Sequence, residues 1–218
     1  MANIQKNFAS VIALGSQNPQ ILNEDFLRIN KIIPFDQPPY DKKTNFVSTL
    51  PFTTIAFGPV EIIVEEQRFQ IRQAGLSDWD KTSIFDILIN YFKVLEYTPV
   101  KTIGINLNCR IDFESIEESE KFQKLLLPEK SKIVEIISKD DIEIGLRLRY
   151  PFADKRQALL TVDRANQDAL QRQLSFNYEF NCFKDGQTDW FLVETELSNV
   201  NKLSDYVSDL IDKLLEAM

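Results

Sequence analysis

Asparagine and arginine recur at every second position in three separate stretches of this chain: Asn106, Asn108 and Arg110; Arg147 and Arg149; Asn177 and Asn181, with Glu179 between them. In a strand, that spacing sets each group on one side of the pleat. Asn is a poor strand former, so amides and guanidinium groups held in mid-strand point to hydrogen bonding with a partner or ligand. These seven Asn and Arg residues are the expected partner-binding set. Glu61, Glu65, Arg68, Gln70 and Arg72 are their counterparts in the first half. The competing reading is a plain solvated sheet face, since antiparallel sheets commonly read apolar on one side and polar on the other.

Catalysis lacks its usual tools here. The chain has no histidine, so general acid-base work would fall to carboxylates, Lys, Tyr or Cys with displaced pKa values. Asp141 and Glu143, or Glu61, Glu65 and Glu66, could assemble a Mg²⁺ site of nuclease type, yet their spacing is that of exposed strand positions and hairpin ends. Cys109 and Cys182 each share a side of the pleat with apolar neighbours and have no His to activate them. Gly58, Gly75, Gly104 and Gly145 are scattered and never form a spaced triplet, so no phosphate-cradling loop is expected. Gly104 and Gly145, inside strands, mark bulges or close backbone approach. No cofactor is expected, and an enzyme is the less favoured class.

The segment GLRLRYPFADKRQALLTVDR gathers Arg147, Arg149, Lys155, Arg156 and Arg164, with Tyr150 and Phe152 interleaved as stacking groups. It is the basis of an alternative, a nucleic-acid-binding module. Against it stand Asp141, Glu143, Asp154 and Asp163 and a net charge of −8, which disfavours indiscriminate attraction to nucleic acid or an anionic membrane. A local basic patch on an acidic protein better suits an acidic protein partner or a salt-bridged surface.

Stepping outward to what must position these groups, 218 residues at 44% hydrophobic can bury a real core. Sixteen Phe against six Gly argue for a filled interior. The opening MANIQKNFASVIALG holds too short an apolar run for a signal-peptide core, and no stretch approaches the roughly 20 apolar residues of a membrane span. Two cysteines without a secretory leader fit buried free thiols in a reducing compartment, so a cytoplasmic location is expected.

In the first half, the pattern predicts a strand at Phe8 to Leu14, a helical turn around Phe26, Ile29 and Ile33, and a loop at Pro34 to Asp41. Strands follow at Phe46 to Leu50, Thr53 to Phe57, Val60 to Glu66 and Arg68 to Gln73. Ser77 and Asp80 resemble a capping box opening a helix that runs through Ile84 and Leu88 to Leu95. The second half opens on an eleven-residue alternation, Ile103 to Phe113. A helix at Ser115 to Leu127 offers Ile116, Phe122, Leu125 and Leu126 for burial. Strands are predicted at Lys132 to Ile137, Ile142 to Tyr150, Gln157 to Asp163 and Leu174 to Phe183. A fifth, Trp190 to Glu196, pairs back across the turn at Lys184 to Gln187, where Gly186 supplies backbone freedom. Asn199 to Met218 is an amphipathic helix packed on the protein's own sheet. Trp79 and Trp190, at element edges, read as core anchors, with interface hot spots as the alternative.

The order is β-α-β-β-β-β-α given twice, residues 1–98 and 99–218, with an extra strand in the second copy. It resembles the TATA-binding-protein-like architecture, which implies two halves joined in one curved antiparallel sheet with helices on one face. The phrases NPQILNEDFLRINKIIP, STLPFTTIAFGPVEI, YTPVKTIGINLNCRIDF and LSFNYEF resemble stretches of sporadically distributed, uncharacterised bacterial proteins. That resemblance implies no activity and no site. The expectation is an α+β protein, a single unit, that binds another protein through an open polar sheet face or an edge strand. Self-association through exposed strands such as Phe46 to Leu50 or Trp190 to Glu196 belongs to the same class.

Overall fold

Along Ala9 to Ala13, small and branched apolar residues alternate with Ser10 and Ile12, and the odd-numbered members are fully buried. That period-two pattern makes the segment a strand with one covered face, and it recurs through the chain. The computed structural model describes residues 2–35, 40, 43–126, 146–152, 156–164 and 170–218. In order, the described elements are β1 (Asn3–Gly15), α1 (Glu24–Ile29), β2 (Lys43–Thr49), β3 (Phe52–Phe57), β4 (Val60–Glu65), β5 (Arg68–Ala74), α2 (Ile84–Val94) and β6 (Val100–Asp112). They continue with α3 (Ile116–Leu126), β7 (Leu146–Phe152), β8 (Arg156–Arg164), β9 (Gln171–Asn181), a two-residue-per-strand hairpin β10 (Phe183–Lys184) and β11 (Gln187–Thr188), α4 (Trp190–Ser198) and α5 (Val200–Glu216).

Nine of the strands form one sheet in the order β2-β3-β4-β5-β1-β6-β9-β8-β7, and every pairing is antiparallel. The protein is thus α+β, with one large antiparallel sheet. Read outward from its centre, the order is β1-β5-β4-β3-β2 on one side and β6-β9-β8-β7 on the other, so each half places its first strand at the middle and its last strand beside it. One rung crosses the whole sheet: Asn45, Ala56, Glu61, Arg72, Ser10, Asn106, Asn177, Leu159 and Arg149 are successive partners. All nine lie on the same face.

The opposite face carries the core. Val11, Ile62, Ile71, Ile105, Phe176 and Val162 are among its buried residues, and each such side chain contributes about 1.5–3 kcal/mol of burial. Helix α2 packs against β1 and β5, and α4 lies between α2 and α5. An aromatic chain ties these layers: Phe69 meets Tyr91 at 4.5 Å and Phe92 at 5.2 Å between ring centres, and Phe92 stacks on Trp190 at 5.1 Å. Such contacts add about 0.5–1.5 kcal/mol each beyond burial. Helix α5 buries Val200, Leu203, Ser204, Val207 and Ile211, so its apolar stripe is spent on the protein's own interior. Among the described residues, no helix is long and apolar enough to cross a membrane.

Three expectations need correction. Trp190 to Glu196 is helix α4, not a strand. Asp189 caps it by accepting from the Leu192 N–H at 3.0 Å, and Val193, Glu196 and Leu197 turn inward at helical spacing. The turn before it forms as expected, with Asp185 and Gly186 both at positive φ, the geometry of a two-residue hairpin, but β11 is only two residues long. Helix α2 begins at Ile84 and not at Ser77, because Trp79 is drawn into a separate 3-10 turn by its own hydrogen bonds. In α1 and α3, Ile29, Ile116 and Leu125 are exposed, while Phe122 is buried as expected and Leu27 is buried in α1. The expected strand at Lys132 to Ile137, the start of the one at Ile142, Gly145 and most of the Pro34 to Asp41 loop lie outside the described residues.

Trp79 is completely buried, and its indole N–H donates to the backbone oxygens of Phe8 (3.2 Å) and Asn108 (3.1 Å). These residues face each other where β1 and β6 slip register between Gln5 and Phe8. At the other end of β1, a Cβ on Gly15 would stand 1.9 Å from the Pro99 carbonyl oxygen. Only glycine lets the two central strands close there.

Candidate functional site

The face away from the helices holds all seven expected residues, because each strand's alternation is fixed by its buried partners. The structure brings four of them together. Asn106, Asn177, Arg149 and Arg147 line a depression of about 350 Å³ that spans β6, β9, β8 and β7, together with Thr161, Ser175, Leu159 and Glu179. Asn106, Asn177, Leu159 and Arg149 form one rung, while Ser175, Thr161 and Arg147 form the next.

The floor is pre-set by a hydrogen-bond ladder. Asn177 donates from Nδ2 to Oδ1 of Asn106 at 2.7 Å, and Asn106 donates in turn to Oγ of Ser10 at 3.2 Å. Ser10 is itself buried. Fixing two amides in this way leaves the Asn177 Oδ1 and the remaining amide hydrogens to face outward, with their rotamers already decided. A Cβ on Gly104 would stand 3.4 Å from the Asn177 Nδ2, an ordinary contact. β6 has no register shift at Gly104, so this mid-strand glycine does not mark a bulge.

The arginines of this face divide into two kinds. In the first half Arg72 pairs with Glu61, which also accepts from Thr54 at 3.1 Å, and Arg68 lies 3.8 Å from Glu65. On β6, Arg110 lies 3.0 Å from Asp112 and donates to Gln5 at 2.8 Å. Arg147 and Arg149 are exposed on β7 and have no such ion pair among the described residues.

Three expected residues sit apart from the depression. Arg110 belongs to the Gln5–Asp112 cluster. Asn108 is a partner of Ser175, but its Oδ1 is enclosed without a hydrogen-bond partner among the described residues. Asn181 holds the start of β10 by accepting from the Phe183 N–H at 2.8 Å. Thr161, Ser175 and Leu159 were missed, and Ser10 beneath them as well. Their one sequence signal is parity with the chosen residues, which selects a face and not a rung.

The basic segment does not act as a unit. Arg156 lies on the covered face, ion-paired with Glu196. Tyr150 also turns to the covered face and accepts from the Tyr206 hydroxyl at 3.3 Å, so it is no stacking group for the open side. Lys155 and the side chains of Phe152 and Arg164 lie outside the described residues.

Cys109 and Cys182 are free and buried, and burial pushes both thiols up to about 12. Each is therefore fully protonated near neutrality, which removes nucleophilic power. Among the described residues, no cluster of three or more His, Cys, Asp or Glu is placed to hold a metal ion; Asp141 and Glu143 lie outside them.

A larger recess, of about 720 Å³, opens between the turn before β6 and the β10–β11 hairpin. Three of its polar side chains are engaged in structure. Thr188 bonds both the N–H and the carbonyl of Val100, Asp189 caps α4, and the Trp190 indole donates to the Glu96 carbonyl at 3.1 Å. The depression on the open face differs in setting two arginines without an ion pair among the described residues beside a hydrogen-bonded pair of amides. No protein-family model matches the sequence, and no curated protein matches it.

Proposed function

We propose that this protein is a non-enzymatic binding module that takes an acidic segment of another protein on the open face of its sheet, at the depression between β6 and β7. The observation that carries this is the contrast among arginines. Arg68, Arg72 and Arg110 already have acidic partners, while Arg147 and Arg149 line a depression whose floor is a fixed pair of amides. A guanidinium without an ion pair gains most from an incoming carboxylate, and the bidentate fork adds direction to charge. Glu179 on the same wall disfavours acidic groups that approach from the wrong side.

Buried free thiols support a reducing compartment, and the cytoplasm is the proposed location. The matching strand order of the two halves, outward from the centre, supports the tandem arrangement of the TATA-binding-protein-like kind.

The test is purification of the tagged protein from its native host at low salt, with the Arg147→Glu/Arg149→Glu variant alongside. A stoichiometric acidic protein that the variant loses, and that rebinds the isolated wild type in a titration, supports the proposal. Nuclease-sensitive material lost in the same control would transfer the site to nucleic acid, with affinity falling steeply as salt rises. Equal retention by both proteins would remove the open face from consideration.

A further inference from the structure

We propose that the segment taken by the open face carries a basic residue close to its acidic one, the acid held by Arg147 and Arg149 and the base by Glu179, an inference that rests on the function proposed for this depression. Arg147, Arg149 and Glu179 all line it and all three are exposed. Among the described residues, none of them is in an ion pair. Unspent charge of both signs in one depression calls for a ligand that carries both signs, because a charge covered without a counter-charge loses water and gains nothing in return.

The register sets the two signs apart in a fixed order. Arg149, Leu159 and Asn177 are successive partners across β7, β8 and β9, and Arg147, Thr161 and Ser175 form the rung on one side of them. Glu179 lies on the other side, beyond Asn177 on β9. Its partner on β6 is Gly104, which has no side chain to cover the carboxylate or to pair with it. With strands about 4.8 Å apart and residues about 3.4 Å apart along them, the backbones of Arg149 and Glu179 stand on the order of 12 Å from each other. An extended segment spans that in about four residues, and side-chain reach shortens it, so its acid and base fall about two to four positions apart. Asn177 stands between the two signs, bonded to Asn106 at 2.7 Å, and its free Oδ1 and the remaining amide hydrogens suit the peptide groups that link acid to base. A wholly acidic segment, or a nucleic-acid backbone with its run of phosphates, sets an anion against Glu179, and that opposition costs affinity.

The test is selection of a phage-displayed library of random linear dodecapeptides on the immobilised full chain at low salt, with Glu179→Lys and Arg147→Glu/Arg149→Glu selected in parallel. The wild type is expected to enrich Asp or Glu with Lys or Arg about two to four positions away. Titrated with an enriched peptide, Glu179→Lys should bind about five- to tenfold more weakly, and changing the peptide's basic residue to Glu should restore its binding while weakening that of the wild type. Moving the basic residue to the far end of the peptide, which keeps its net charge, should remove this coupling. If Glu179→Lys fails to fold by circular dichroism, Glu179→Gln decides, since it should lose the preference for the basic residue. Acidic residues enriched by the wild type with no basic position, or a folded Glu179 variant with unchanged preference, would overturn this inference and leave the proposed function standing. No acidic enrichment by the wild type, or the same enrichment by Arg147→Glu/Arg149→Glu, would overturn both.

Discussion

Tyr178, on the covered face of β9, donates its hydroxyl hydrogen to Oε2 of Glu196 on α4 at 2.7 Å, while Arg156 from the neighbouring strand holds Oε1. Glu196 is 8% exposed. A carboxylate so enclosed is tolerated because both oxygens are satisfied. Glu196→Ala leaves the guanidinium and the phenol without this partner and should lower unfolding stability by about 2–4 kcal/mol. Glu196→Gln, which still accepts from Tyr178, should cost less. Urea unfolding followed by circular dichroism measures both. A Glu196→Ala protein within about 0.5 kcal/mol of wild type, the range of an ordinary surface change, would show that the triad does not anchor α4.

Trp79 supports the junction of the two halves through its N–H as much as through its ring. Phe8 and Asn108 both direct backbone oxygens to the indole where the β1–β6 register slips. Trp79→Phe keeps much of the aromatic volume but withdraws the donor from two carbonyls, and should destabilise by about 1–3 kcal/mol. Trp79→Ala adds a cavity and should cost about 3–5 kcal/mol. If Trp79→Phe unfolds at the wild-type urea midpoint, the hydrogen bonds contribute nothing at this slip.

The strands were legible because long alternations such as Ile103 to Phe113 fit one period and are bounded by buried partners on both sides. Trp190 to Glu196 was not, since seven residues with three or four apolar positions satisfy a strand and a helix alike. What decides it is distant in sequence: Tyr178 and Arg156 reach the carboxylate of Glu196 only if that residue turns inward beside Val193. The start of α2 was misplaced for a related reason, as the demand for Trp79 at the β1–β6 slip outweighs the local capping pattern at Ser77. For the candidate site, parity placed Asn106, Asn108, Arg110, Arg147, Arg149, Asn177 and Asn181 on one face, which the pairing shows them to share. It could not say which of them share a rung. Register comes from pairing across the sheet, and it sets Arg149 in line with Asn177 and Asn106 while leaving Asn181 and Arg110 toward opposite ends. Parity also separates Arg156 from Arg147 and Arg149, a split concealed by reading the segment as one basic run.

The two thiols make stability fall on the alkaline side. Burial raises both folded-state values from 9.0 to about 12. The folded protein therefore keeps protons that the unfolded chain releases above pH 9. Their contribution is fully present below pH 9 and is lost progressively as pH rises from there toward 12. The urea midpoint should decline between pH 8.5 and pH 10.5, and Cys109→Ala/Cys182→Ala should flatten that decline. Tyr91, raised by burial, adds to the loss at higher pH. A thiol reagent at pH 8 should label the native protein slowly and the urea-unfolded protein at once; rapid labelling of the native state would contradict the burial.

Gly104 separates stability from the geometry of the open face. It lies in the middle of β6 between the partners Ile12 and Glu179, where glycine costs a strand about 0.5–1 kcal/mol relative to alanine. An alanine Cβ would touch the Asn177 amide at 3.4 Å, an ordinary contact. Gly104→Ala should therefore gain about 0.5–1 kcal/mol in urea unfolding. Gly104→Val adds two methyl groups beside the same amide and should push Asn177 off Asn106, breaking the 2.7 Å bond that sets the floor of the depression. The readout is the Asn177 side-chain amide resonance pair, which should sharpen and shift little in the alanine variant and move toward solvent values in the valine variant. Were Asn177 to keep its native resonances in Gly104→Val, the ladder would tolerate a branched side chain at this position.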